Sequence, residues 1–126
     1  MSTSLDNTFE NTRSEFSFRE ILEFTPVGIL IFQRDWKIKF VNTTFFQYSG
    51  VMGEIPEDLI GKSIFENRLF RDADIRDDLS LVKNGQAFER EINSTLTLSG
   101  GKYSILLKGV PVILEGEYTG GVLVLE

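Results

Sequence analysis

The chain has 126 residues with a net charge of −6 and a sequence pI near 4.7, and 41% of it is hydrophobic, enough for one domain around one modest core. It contains neither Cys nor His; disulfides, thiolate metal sites and Cys nucleophiles are excluded, and the commonest general base, zinc ligand and haem ligand are missing. No run of Lys or Arg is present to displace phosphate counterions, so nucleic acid is not an expected partner.

Residues 1–15 are rich in Ser, Thr and Asn and read as a flexible N-terminal segment, with the domain occupying 16–126. Met1 to Arg13 lacks the apolar core of a signal peptide. No stretch approaches the ~20 apolar residues of a membrane span, and a cytoplasmic location is expected. Ser17 and Glu20 have capping-box spacing, and Phe16 with Ile21 fits a hydrophobic staple around them. Phe18, Ile21 and Leu22 share one face of the short helix this predicts, which Pro26 stops near Thr25.

Val27 to Phe32 is a β-prone run, followed by a turn at Arg34-Asp35 and a second run from Lys37 to Val41. There Ile38 and Phe40 alternate with Lys37 and Lys39, predicting one dry and one wet strand face. Asn42 suits the N-cap of a short helix through Phe45, Phe46 and Tyr48, ended by Gly50. Ser63 and Glu66 repeat the capping-box spacing. Asp74 is placed to cap a helix carrying Ile75, Leu79 and Val82 on one face, and Asn84-Gly85 stops it. Phe88 to Leu98, Tyr103 to Leu114 and Tyr118 to Leu125 read as a three-strand meander with turns at Ser99-Gly100-Gly101 and Glu115-Gly116-Glu117. Five strands with helices grouped between the second and third predict an α+β fold: one antiparallel sheet, short helices packed on one face, and an N-terminal flanking helix.

The Gly61-Lys62-Ser63 sequence is not a phosphate loop, because Pro56 stands where that motif needs its first Gly. Asp72, Asp74, Asp77 and Asp78 suit the favourable end of a helix dipole and match no calcium-loop spacing. Glu89, Arg90 and Glu91 read as a solvated strand edge, with no nucleophile beside them. No catalytic set is recognisable, and the chain is not expected to be an enzyme.

The order of elements resembles the PAS family from Phe18 to Glu126. Val41-Asn42-Thr43-Thr44-Phe45 is similar to the strand end and helix start that open the family's helical region. Asp58-Leu59-Ile60-Gly61-Lys62-Ser63 resembles its leucine-isoleucine-glycine turn. Asn84-Gly85 falls at its helix-to-third-strand junction, and Lys108 to Pro111 and Gly120-Gly121-Val122 fit its last two strands. The resemblance implies a non-catalytic sensor of a signal-transduction protein, such as the N-terminal part of a histidine kinase of a two-component system. Such a domain would bind a small molecule non-covalently and pass the signal to a C-terminal output domain; a ligand-free dimerisation module is the alternative. The cofactor is unknown. His-ligated haem is excluded for want of His, and Cys-adduct flavin because Ile64 stands in place of the reactive Cys.

By the same resemblance, a pocket would be lined by Leu30, Phe32, Phe40, Ile75, Leu79, Asn93, Thr95, Ile105, Leu107 and Leu123. Asn93, Thr95 and Thr97 would then point towards the helices. Periodicity alone allows the opposite, with Ile92, Leu96 and Leu98 in the core, and the two readings stand side by side. A homodimer is expected, with Phe18, Ile21 and Leu22 at its interface.

Overall fold

The computed structural model describes residues 18–23, 25–49, 53–94 and 103–126. Helix α1 (Phe18–Glu23) precedes strands β1 (Gly28–Gln33) and β2 (Ile38–Val41), then α2 (Thr43–Ser49). Two 3-10 turns (Pro56–Leu59 and Ile64–Glu66) lead to α3 (Arg68–Ala73) and α4 (Arg76–Lys83), and β3 (Phe88–Ser94), β4 (Tyr103–Leu114) and β5 (Glu117–Leu125) complete the order. The strands form one sheet in the order β2-β1-β5-β4-β3, with every neighbouring pair antiparallel. The expected α+β fold is present. The Ser17 cap, the Phe16 staple, the Gly50 stop and the turn at residues 99–101 lie outside the described residues, as do residues 1–15.

Asn42 joins the first three elements. Its Oδ1 accepts from Ile29 N and Phe45 N, both at 2.9 Å, and its Nδ2 donates to Leu22 O and Val27 O, both at 2.9 Å. The side chain therefore caps α2 as expected while tying down α1 and the entry to β1, and it is fully buried with every polar atom used. Glu23 adds a second tie by accepting from Thr43 N and Thr43 Oγ1 at 3.0 Å each. That places a carboxylate at the favourable end of α2.

Register fixes which side chains face the helices. Leu30 pairs with Leu123, Leu107 with Leu125, and Ile92 with Ile105; these belong to one buried cluster with Ile75, Leu79 and Val82 from the helices. The open edge of β2 is covered by residues 61–64: Gly61 N donates to Ile38 O, Ile38 N to Lys62 O and Ile64 N to Trp36 O, each at 2.8 Å. An edge so paired offers no template for another strand. Gly61, at φ +87°, makes the turn into this segment after the first 3-10 turn.

Two local expectations change. Asp74 does not cap α4; it ends α3 in the left-handed region at φ 51°, and Ile75 holds the N-cap position. The connection between the helices is so short that one residue must reverse the chain, and Asp tolerates that conformation better than most side chains. Phe40 does not share a face with Ile38. Ile31 pairs with Phe40 and Phe32 with Ile38, so β2 holds one extra residue, Lys39, at a bulge. The bulge turns Ile38 and Val41 inward and leaves Phe40 opposite Ile31 on the other face.

Candidate functional site

Between sheet and helices, Leu30, Phe32, Ile75, Leu79, Ile105, Leu107 and Leu123, which the resemblance put around a pocket, come together in one core layer, and none is more than 2% exposed. Burying each is worth about 1.5–3 kcal/mol, so this layer is the stabilising centre of the domain. Two other expected lining residues face elsewhere. Phe40 lies on the outer face for the reason given above. Asn93 is exposed, opposite Ser104, because its neighbour Ile92 is held inward by pairing with Ile105. Thr95 and Thr97 lie outside the described residues.

The inward side of β3 instead carries Arg90, which the sequence had assigned to a solvated edge. Its guanidinium donates to Asp78 Oδ2 at 2.7 Å, Ala73 O at 2.8 Å and Asp74 O at 3.1 Å. One side chain thus holds β3 against the corner between α3 and α4 and satisfies two carbonyls at the end of α3. Asp78 is thereby engaged in an ion pair, and Glu89 and Glu91 remain exposed on the opposite side. Beside this corner, Trp36 stacks on Phe32 at 5.6 Å between centroids and meets Phe65 at 5.5 Å, with Arg76 lying over Phe65.

Tyr118 packs against the inner cluster, and its buried hydroxyl has no hydrogen-bond partner among the described residues. Burial pushes this phenol above its usual value of 10.0. Nothing in the sequence marked it, since a Tyr in a strand reads equally well as a half-exposed ring.

The outer face of the sheet is apolar along its middle. Ile29 and Ile31 of β1, Val122 and Val124 of β5, and Val110 and Val112 of β4 sit side by side by register. Ile29 is buried, whereas Val110 is 43% exposed and the neighbouring Leu114 60%. Lys39 and Arg34 stand at the β1–β2 side, bordering a groove with Ile31, Val112 and Leu114; Glu89 and Glu91 stand on β3 at the other. A signal for this face existed in the sequence, because Val110-Pro111-Val112-Ile113-Leu114 has no polar alternation. Of the expected dimer residues, Ile21 is 56% exposed and Leu22 half-buried with its carbonyl held by Asn42; the Phe18 side chain lies outside the described residues. No helix among the described residues is long and apolar enough to cross a membrane.

Known structures share this architecture at low identity. The PAS domain of an HTR-like protein from Haloarcula marismortui is 22% identical, with a TM-score of 0.66 and 98% of each chain covered. The PAS domain of the histidine kinase ThkA is 13% identical, with a TM-score of 0.63, 81% of this chain and 99% of that one covered. A Vibrio cholerae VqmA dimer structure is 13% identical with a TM-score of 0.70; 85% of this chain is covered, and the chain spans about half the length of that protein (48%). No curated protein sequence matches. The family model described as "PAS domain" matches residues 17–89, more than half of the chain, and with the sheet order and helical layer already described, the chain belongs to the PAS domain family.

Proposed function

We propose that this PAS domain is a non-catalytic regulatory module of a signal-transduction protein, working as a homodimer through the outer face of its sheet and passing changes in that interface to an output domain. The carrying observation is the apolar outer face formed by Ile31, Val110, Val112, Val122 and Val124, which is larger than scattered surface apolar residues require. A second copy suits it by charge. A two-fold axis parallel to the strands lays the β2 side of one sheet over the β3 side of the other. The Lys39 flank of each copy then lies towards the Glu89 flank of the other, and the contact repeats on both sides as a two-fold interface requires. PAS structures from a histidine kinase and from a VqmA dimer share the fold, which supports the class of output.

The partner reading is preferred to a polar ligand held at β3, because the inward side chains there are Arg90, already bonded, and Ile92, already in the core. Sedimentation equilibrium of the chain tests the proposal. A concentration-dependent dimer is expected, and Val110→Glu, which places a charge at the exposed centre of the face, should shift it towards monomer at least tenfold. Wild-type protein that stays monomeric at all concentrations would sink it, as would a dimer indifferent to that substitution. Ile21→Asp distinguishes an α1-mediated dimer from this one.

A further inference from the structure

The turn between β1 and β2 is closed by Gln33 N donating to Lys37 O at 2.9 Å and Trp36 N to Gln33 O at 2.8 Å. Trp36 holds its left-handed position, at φ 71°. Asp74 and Glu115 are the other non-glycine residues with positive φ among the described residues, and both are exposed and polar. A bulky ring is strained where Gly or Asn would be relaxed, so Trp36 is held there by what its half-buried side chain touches. It stacks on Phe32 with centroids 5.6 Å and planes 21° apart, and it meets Phe65 at 5.5 Å. Arg76, the first residue of α4, lies 6.0 Å over the Phe65 ring. At the other end the Phe32 ring lies across its strand partner Gly121, where an added Cβ would stand 2.5 Å from Phe32 Cζ.

We propose that the row Arg76, Phe65, Trp36, Phe32 is a relay, with Trp36 as its middle member, that carries a displacement of the second 3-10 turn and the start of α4 to Gly121 of β5. Both ring and backbone of Trp36 follow the 3-10 turn, because the Trp36 carbonyl accepts from Ile64 N at 2.8 Å, one residue before Phe65. The receiving end of the row is built to yield. Gly120, at φ 147°, and Gly121 are successive glycines, and a strand is softest where it has no side chains to pack. Val122 follows them on the outer face, between Ile31 and Val110. Rings in contact pass on a displacement because close packing leaves no void to absorb it. The relay does not depend on the dimer, since every member belongs to one copy.

Coupling of this kind is measured by a double-mutant cycle, read from the amide shifts of the ¹⁵N-labelled 126-residue chain as wild type, Phe65→Leu, Trp36→Gly and the double variant. In the wild-type background, Phe65→Leu should move the Gly121 and Val122 amides several-fold more than that of Gly109. Gly109 is a fair control because it lies against the Phe88 ring as Gly121 lies against Phe32, but off the row. Trp36→Gly relaxes the turn while removing the ring, and in that background Phe65→Leu should leave Gly121 and Val122 unmoved. Arg76→Gln, at an exposed position, decides the matter if the glycine variant folds poorly: in an otherwise wild-type chain it should move the Trp36 indole N–H and the Gly121 amide together. A Gly121 that responds no more than Gly109 would overturn the relay. So would one that responds equally with and without Trp36, or one that stays fixed while the indole moves.

Discussion

Converting Asn42 to Asp changes one group and leaves the side-chain shape intact, so it isolates what the buried amide does. The Oδ1 bonds from Ile29 N and Phe45 N survive, whereas the two Nδ2 donations to Leu22 O and Val27 O are replaced by a carboxylate oxygen facing two carbonyl oxygens. Each lost bond costs about 1 kcal/mol, and leaving a buried charge without a counter-ion adds more, for a total of about 3–5 kcal/mol. Against a domain stability of about 5–15 kcal/mol, the urea midpoint should fall by at least about a fifth with an unchanged slope. The pH dependence has a definite sign. Full burial and the carbonyls of Leu22 and Val27, to which only the protonated acid can donate, outweigh the two N–H donors at Oδ1, so the folded pKa of the new carboxyl lies above that of the unfolded chain. Its stability deficit is therefore smallest below the unfolded value of about 4 and grows as pH rises through the folded pKa. Urea titrations at pH 4 and pH 7 measure both features. A variant within 1 kcal/mol of wild type, or one whose deficit grows on acidification, would refute this account of the Asn42 site.

Arg90→Met keeps the aliphatic stem and removes three bonds to the α3–α4 corner; a loss of about 1–2 kcal/mol is expected, with faster amide exchange in α4 than in β1, and equal exchange would count against the tie. Gly120→Ala forces a Cβ onto the Phe32 carbonyl at φ +147° and should cost about 2–3 kcal/mol, whereas Gly116→Ala, at φ +82° in open space, should cost about 1 kcal/mol; equal effects on the melting temperature would refute the clash. Tyr118→Phe removes a buried hydroxyl with no partner among the described residues and should raise stability by about 1 kcal/mol, a melting shift of a few degrees. Because the folded phenol ionises later than the unfolded one, wild type loses this group's stability as pH rises above 10 and the Phe variant does not. A variant less stable than wild type would mean that the hydroxyl has a partner.

Strand positions were legible because the runs are bounded by turns with one reading each: Arg34-Asp35, Asn84-Gly85 and Glu115-Gly116. Asn42 was legible as a cap, though not as the junction of α1, β1 and α2, because its other partners are backbone groups 13, 15 and 20 residues away. Phe40 was misassigned because a bulge at Lys39 leaves no mark in composition, and one extra residue reverses every facing beyond it. For β3 the alternation of apolar residues outweighed family resemblance. Once Ile105 and Leu107 face the helices, pairing puts Ile92 and Arg90 inward whatever their polarity. Arg90 then satisfies its charge by reaching Asp78 and the end of α3, a pairing across 12 residues that no local pattern encodes.

The central strand is where the two faces meet. Leu123 and Leu125 of β5 are fully buried in the inner layer, while Val122 and Val124 stand between β1 and β4 on the outer face. Successive residues of a strand point to opposite sides of a rigid ribbon, so displacing Leu123 tilts Val122 and Val124. On the outer face, Val122 lies directly between Ile31 and Val110, and Val124 between Ile29 and Lys108. Lys108 in turn pairs with Glu126 at 3.2 Å. A repacking of the inner layer by less than a side-chain width therefore reaches the proposed interface without any intervening loop. Neighbouring packed side chains move in discrete steps rather than by continuous deformation, which makes β5 the element through which a change on the helical side would alter pairing between copies.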